Sequence, residues 1–270
     1  MTVGELDIES GIRLIETLHD ALTISNIAAT SFYPAMPWWR GQAKHTWKLV
    51  PRVFREGQNY YRRETCLTNY FMQQAPSRHP DCPSKVDFAD WLILMRHYGL
   101  ATRLLDWTQS ILVAIYFVVN EKPNEKGSLW ALNPSELNRS ETGCYAVMGC
   151  NSKLPKLLFK KPFETHNQAV DKIIALEPNQ IDARVLAQLS KFTLHGTPAA
   201  LNQRKGAEKF LARFDIPADN KEPLMNELRW LGIDGSSLFP DLEHLATELN
   251  SRQYWLDLHG PQYQGGLQIE

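Results

Sequence analysis

The sequence predicts an α+β fold in which mixed or antiparallel sheets are flanked by helices. Two observations carry this reading. Helical apolar stripes gather at the start and at the end of the chain, and the strand-like runs between them do not alternate one-to-one with helices, as a doubly wound parallel sheet requires. The run from Ile111 to Val119 is almost unbroken in its apolarity and must lie inside. With 270 residues, 43% of them hydrophobic, the chain is long enough to build a core without a disulfide or metal staple.

In order along the chain, Ser10 can cap a first helix whose apolar residues are Ile12, Ile15, Leu18 and Leu22. Pro34 and Pro37 end that region and open an extended segment, Trp38 to Gln42. Leu49 to Arg52 reads as irregular or edge structure. Residues 58–75 read as a helix, and the prolines of 76–84 mark a loop. Phe88, Trp91, Leu92 and Met95 fall on one helical face over 86–98, with Gly99 placed to end it. A short strand at 103–107 precedes 111–119, which is read as a helix because Ser110 can cap it. Gly127 to Leu132 is a strand, and Pro134 opens another helix. Residues 140–168 are weakly patterned and lysine-rich, as expected of a surface excursion. Strands are expected again at 172–176, 184–189, 192–194 and 210–216, then helices at 219–231 and 241–256. The organisation is an N-terminal helical segment over 1–35, a main domain over 36–249 and a tail over 250–270.

Composition narrows the function. The formal net charge is −1 and the lysines and arginines are scattered, so the basic footprint of a duplex nucleic-acid binder is missing. The four cysteines form no Cys-x-x-Cys pair, and no His/Cys/Asp group has metal-ligand spacing, so neither disulfides nor a metal is expected. Met1 to Ser10 holds three acidic residues and no basic or apolar leader, and no run reaches the roughly 18 apolar residues of a membrane span. A cytoplasmic protein without a membrane partner is expected. The Lys153–Lys161 tract is either a solvated face or an aid to a polyanionic partner.

Candidate chemistry lies in two places. The first is Trp38-Trp39-Arg40-Gly41-Gln42. Arginine offers a planar five-donor fork that stays charged when desolvated, glycine admits a close approach or a positive φ, and indoles stack on nucleobases or on the guanidinium. The alternative is a buried Arg40–Asp106 pair that only locks strands together. The second place is 97–110, where His97, Thr102, Arg103, Asp106, Thr108 and Ser110 crowd against the apolar run, a costly arrangement unless the groups are paired or form a site. On a strand, Thr102, Asp106 and Thr108 share a face and Arg103 points away. Asp106 can fix an arginine or ribose hydroxyls, or cap a turn. His97, with Tyr98 beside it, can equally be explained by a helix C-terminal dipole. Arg184 and Gln188 lie on one face if their segment is extended; the glutamine can meet a ribose or be an idle sheet-edge amide.

The motifs Trp39-Arg40-Gly41-Gln42, Leu49-x-Pro51-Arg52, His97-Tyr-Gly-Leu-x-Thr-Arg-Leu-Leu-Asp-Trp-Thr108, Arg184-Val-x-x-Gln188-x-x-x-Phe192 and Leu231-Gly-Ile…Leu238-Phe-Pro-Asp241 resemble the FRG domain family. Trp39 stands where that family usually has phenylalanine or tyrosine. More loosely, the arrangement is similar to the ADP-ribosyltransferase fold, which implies an ADP-ribosyltransferase-like core followed by C-terminal helices. That resemblance implies NAD as substrate. Arg40 would hold it, Thr108 or Ser110 would brace it, and a glutamate would be expected on a later strand, where this chain offers Arg184 and Gln188 instead. A glutamine cannot stabilise an oxocarbenium-like transition state by charge, and Asp106 is the carboxylate already within a motif. The resemblance thus implies an ADP-ribosyltransferase-like enzyme or NAD hydrolase, with Arg40, Asp106 and Gln188 as catalytic residues. Trp39, Gly41, Gln42, His97, Tyr98, Thr102, Arg103, Thr108, Ser110 and Arg184 would bind substrate. The role would be that of a toxin or a phage-defence effector, with an unidentified macromolecular acceptor. Two other readings stand beside it: a non-catalytic module for a nucleotide or protein, and a scaffold.

Overall fold

A computed structural model describes Val3, Leu6 and residues 11–55, 59–150, 152–178 and 183–251. A seven-stranded sheet forms its centre. The strands are β1 (Trp38–Gln42), β2 (Leu104–Thr108), β3 (Gly127–Leu132), β4 (Met148–Gly149), β5 (Ile173–Glu177), β6 (Ser190–His195) and β7 (Leu211–Ile216). Their spatial order is β4-β5-β6-β2-β1-β3-β7, and every pairing is antiparallel except β4 with β5. Ten helices accompany the sheet among the described residues: α1 (Leu18–Ser31), α2 (Tyr60–Gln74), α3 (Phe88–His97), α4 (Ile111–Val119), α5 (Pro134–Thr142), α6 (Lys153–Lys160), α7 (Ala183–Ala187), α8 (Lys221–Trp230), α9 (Gly235–Leu238) and α10 (Leu242–Ser251). No helix among the described residues is long and apolar enough to cross a membrane.

The expected α+β architecture with a largely antiparallel sheet is present. One helix is shifted and one strand is replaced. The helix expected from Ser10 onward begins at Leu18, where Thr17 and Asp20 form a reciprocal capping box. Ser10 lies outside the described residues, and Leu14 and Ile15 instead pair with Asp215 at the end of β7. The segment 184–189, expected as a strand, is the single helical turn α7. Its short apolar run fits either periodicity, and Gln188 N–H donates to the Arg184 carbonyl to close the turn. The 140–168 excursion is also less peripheral than expected. Helix α6 buries Leu158 and Phe159, and its lysines Lys153, Lys156 and Lys160 are outside the core. Of the closing helix expected over 241–256, residues beyond Ser251 lie outside the described residues.

Three cores organise the layers. Alternation along β1 and β2 puts Trp39, Leu104, Asp106 and Thr108 on one sheet face, since Trp39 and Thr108 are register partners. That face is covered in two halves. Helices α1, α4 and α8 pack over β1, β3 and β7 around Trp39, Leu129 and Phe214. Helices α3 and α6 pack over β2, β5 and β6 around Leu104, Ile174 and Phe192. The opposite face holds Trp38, Leu105, Trp107 and Trp130, closed by Leu137 of α5 and Phe210. Burying side chains of this size contributes about 2–3 kcal/mol apiece, so each half is independently well anchored.

Candidate functional site

Where the two helical layers part, they leave a cleft of about 290 Å³ over the seam between β1 and β2. The sheet itself loosens there. Strand β1 pairs with β3 along its full length but meets β2 at the single register pair Trp39–Thr108. The cleft wall is made by Arg40 of β1, Asp106 of β2, Ile93, Arg96 and His97 of α3, Ala114 and Phe117 of α4, and Arg184 with Gln188 from the α7 turn. Arg55 and Trp47, from the loops after β1, complete it.

Asp106 is the hub. Its carboxylate accepts a two-pronged contact from Arg96, Nε to Oδ1 at 2.9 Å and Nη2 to Oδ2 at 2.5 Å. Arg40 Nη1 donates to the Asp106 backbone carbonyl at 2.6 Å and stands 3.6 Å from Oδ2. Burial alone would raise the Asp106 carboxyl, but Arg96 outweighs it and Arg40 adds to that, so the group is held far below the usual carboxylate range and stays ionised. Arg40 is pushed down to about 10 by burial; Asp106 opposes this, while Arg55 and Arg96 add to it. It remains a cation at neutral pH. Its side chain is 14% exposed; among the described residues its one hydrogen bond is that to Asp106, and Nε has no partner. Beneath the cleft, burial, with the charge of Arg40 adding, pushes His195 down to about 3, so this imidazole is neutral and contributes no charge.

Among comparisons with known proteins, a family model for the FRG domain matches residues 36–127. This chain carries an FRG domain. Neither a curated protein nor a solved structure matches the chain. The matched FRG region spans β1, β2 and α4 and holds Arg40, Arg55, Arg96 and Asp106, so the charged corner of the cleft lies wholly within it.

The residues singled out from the sequence sort into those the fold brings to the cleft and those it spends elsewhere. Arg40, Asp106, His97, Arg184 and Gln188 line the cleft. Arg184 donates Nη1 to the His97 carbonyl and lies 4.3 Å over the Phe239 ring. Gln188 donates its amide to the Leu238 carbonyl, so α7 is tied to the Leu238–Asp241 motif at the cleft edge. Thr108 borders the cleft, but its hydroxyl donates to the Gln188 carbonyl and accepts from Ser110 N–H.

Several expectations need correction. Arg103 lies away from the cleft and wholly buried. It grips Glu64 of α2 through Nε at 2.9 Å and Nη2 at 2.5 Å, with Asn167 bridging both. Thr102 is buried and accepts from Leu104 N–H, Ser110 caps α4 at Val113 N–H, and Tyr98 points outward against His79; none of the three lines the cleft. The tandem indoles form no open stacking wall, because Trp38 and Trp39 are fully buried on opposite sheet faces. Gly41 is required by the protein itself: a Cβ there would sit on the Ala114 carbonyl oxygen of α4. Gln42 accepts from Trp130 Nε1 and donates to the Lys48 carbonyl; Trp39, Gly41 and Gln42 all border the cleft, but each is also committed to the fold. Sequence reasoning missed Arg96, Arg55 and Trp47. Arg96 is in the last turn of α3, where a cation complements the helix dipole, so nothing local marks it as more than that. Trp47 is the cleft indole that keeps accessible surface, at 39% exposure.

Proposed function

We propose that the cleft binds a phosphorylated nucleotide of the NAD type. The observation that carries this is that Arg40 and Arg96 both reach the Asp106 carboxylate, with Arg55 on the same cleft wall, beside accessible aromatic surface from Trp47 and Phe117. Guanidinia recognise phosphate oxygens through paired, charge-assisted donors, and an exposed indole offers a flat apolar face to a base or nicotinamide ring. The further step, ADP-ribosyl transfer from NAD or its hydrolysis, assigns Asp106 the stabilisation of positive charge developing at the ribose. Its permanent ionisation supports that role.

A second reading, binding without turnover, is favoured by one specific feature. Arg96 already neutralises much of the Asp106 charge, and the amide of Gln188 is committed to Leu238. The two readings separate in one experiment on the full chain, with NAD added and both thermal midpoint and released nicotinamide measured. Binding raises the midpoint in proportion to ligand occupancy, and Arg40→Gln removes that rise. Nicotinamide release that is lost in Asp106→Asn makes the protein an enzyme. A raised midpoint without product makes it a binding module, and no effect of NAD on the midpoint overturns NAD as the ligand.

A further inference from the structure

The corner of the cleft around Asp106 holds more positive charge than the protein needs to fold. Arg96 and Asp106 form a matched two-pronged pair and cancel one another. Among the described residues, Arg40 and Arg55 then have no carboxylate of their own. The charges that act most on Arg40 are Asp106, Arg55 and Arg96, and Glu121 is the other acid on the cleft wall. Among the described residues Arg55 makes one hydrogen bond, Nε to the Val50 carbonyl at 2.8 Å, which leaves both of its terminal nitrogens unused. Arg40 uses Nη1 alone. The neighbouring Arg52 is committed to the Gly99 carbonyl. Holding these like charges together costs free energy: partial burial, Arg96 and Arg52 depress Arg55, and Asp106 opposes them.

From this geometry we infer that the Arg40–Arg55–Arg96 corner is a subsite for a terminal phosphate monoester, the doubly charged end group of a nucleotide, in preference to a phosphate diester. The inference rests on the nucleotide reading above and names the group that the site selects. Two uncompensated guanidinia balance a monoester, which carries about −1.5 to −2 charge and three acceptor oxygens near neutral pH; a diester carries one charge and two such oxygens. The cations are also focused on one point. Arg40 and Arg96 reach the same oxygen, Asp106 Oδ2, at 3.6 and 2.5 Å, which suits one compact phosphate better than charges spread along a linker. Arg55, exposed and on a loop, closes the third side.

The test is calorimetric titration of the full chain with AMP, 3′,5′-cyclic AMP, adenosine, NAD, NADP and inorganic phosphate. AMP is expected to bind about tenfold or more tightly than the cyclic diester, and NADP likewise than NAD, as two extra charge-assisted contacts imply. Arg55→Gln, at an exposed position, leaves the fold intact and is expected to level both differences. Equal affinity for AMP and the cyclic diester, or preferences unchanged in Arg55→Gln, overturns the monoester subsite while nucleotide binding stands. Binding of inorganic phosphate that depends on Arg55, with no nucleotide bound, overturns the nucleotide reading and keeps the subsite. Absence of binding by all six overturns both.

Discussion

Two arginines seven positions apart, Arg96 just before the central motif and Arg103 within it, show how the same side chain takes opposite roles. Arg103 is fully enclosed and held by Glu64 and Asn167 through Nε and Nη2, so burial closes it to a ligand even though Nη1 has no partner. Arg96 touches a carboxylate that is 36% exposed in an open cleft. Removing one member of an enclosed pair strands the other, so Arg103→Met is expected to lower unfolding free energy by about 3–5 kcal/mol. Chemical denaturation measures this directly; a loss below about 1 kcal/mol, the range of an exposed pair, would show that α2 is not held by this contact. The sequence places both residues next to charged or polar neighbours, and nothing in it distinguishes them. What separates them is burial, which depends on where α2 and α3 come to rest.

At the scale of elements, β1, α4 and β3 were legible within the chain because each has an unmistakable local pattern: prolines before Trp38, Ser110 before an apolar run, and Gly127 opening a strand. The α7 turn was not, because five residues are too few to separate helical from extended spacing. The cleft was half legible. Arg40 and Asp106 stand out in their motifs, whereas Arg55 and Arg96 join them only when α3 and the loop after β1 fold over β2. The glycine of the first motif is explained by packing between elements. Since β1 lies against the backbone of α4 at Gly41, Gly41→Ala is expected to push the two apart and to cost about 3 kcal/mol or more, the upper end of ordinary overpacking. Thermal and denaturant unfolding of that variant provide the check. An alanine variant of wild-type stability would mean that the strand and helix are not in close contact.

For the whole molecule, the functional argument depends on one sheet face being covered by two helical layers that part above the seam between β1 and β2. The FRG domain supplies both sides of that seam and the charged corner, while α7 and the Leu238–Asp241 segment close the edge from later in the chain. A site assembled from such distant parts accounts for the wide spacing of the chain's motifs. The most direct test is a crystal structure of the full chain soaked or grown with AMP. The account predicts the phosphate at the corner, its oxygens within hydrogen-bonding distance of the Arg40 and Arg55 guanidinia while Arg96 keeps its grip on Asp106. AMP bound elsewhere, or a cleft that stays empty at saturating AMP, would contradict it.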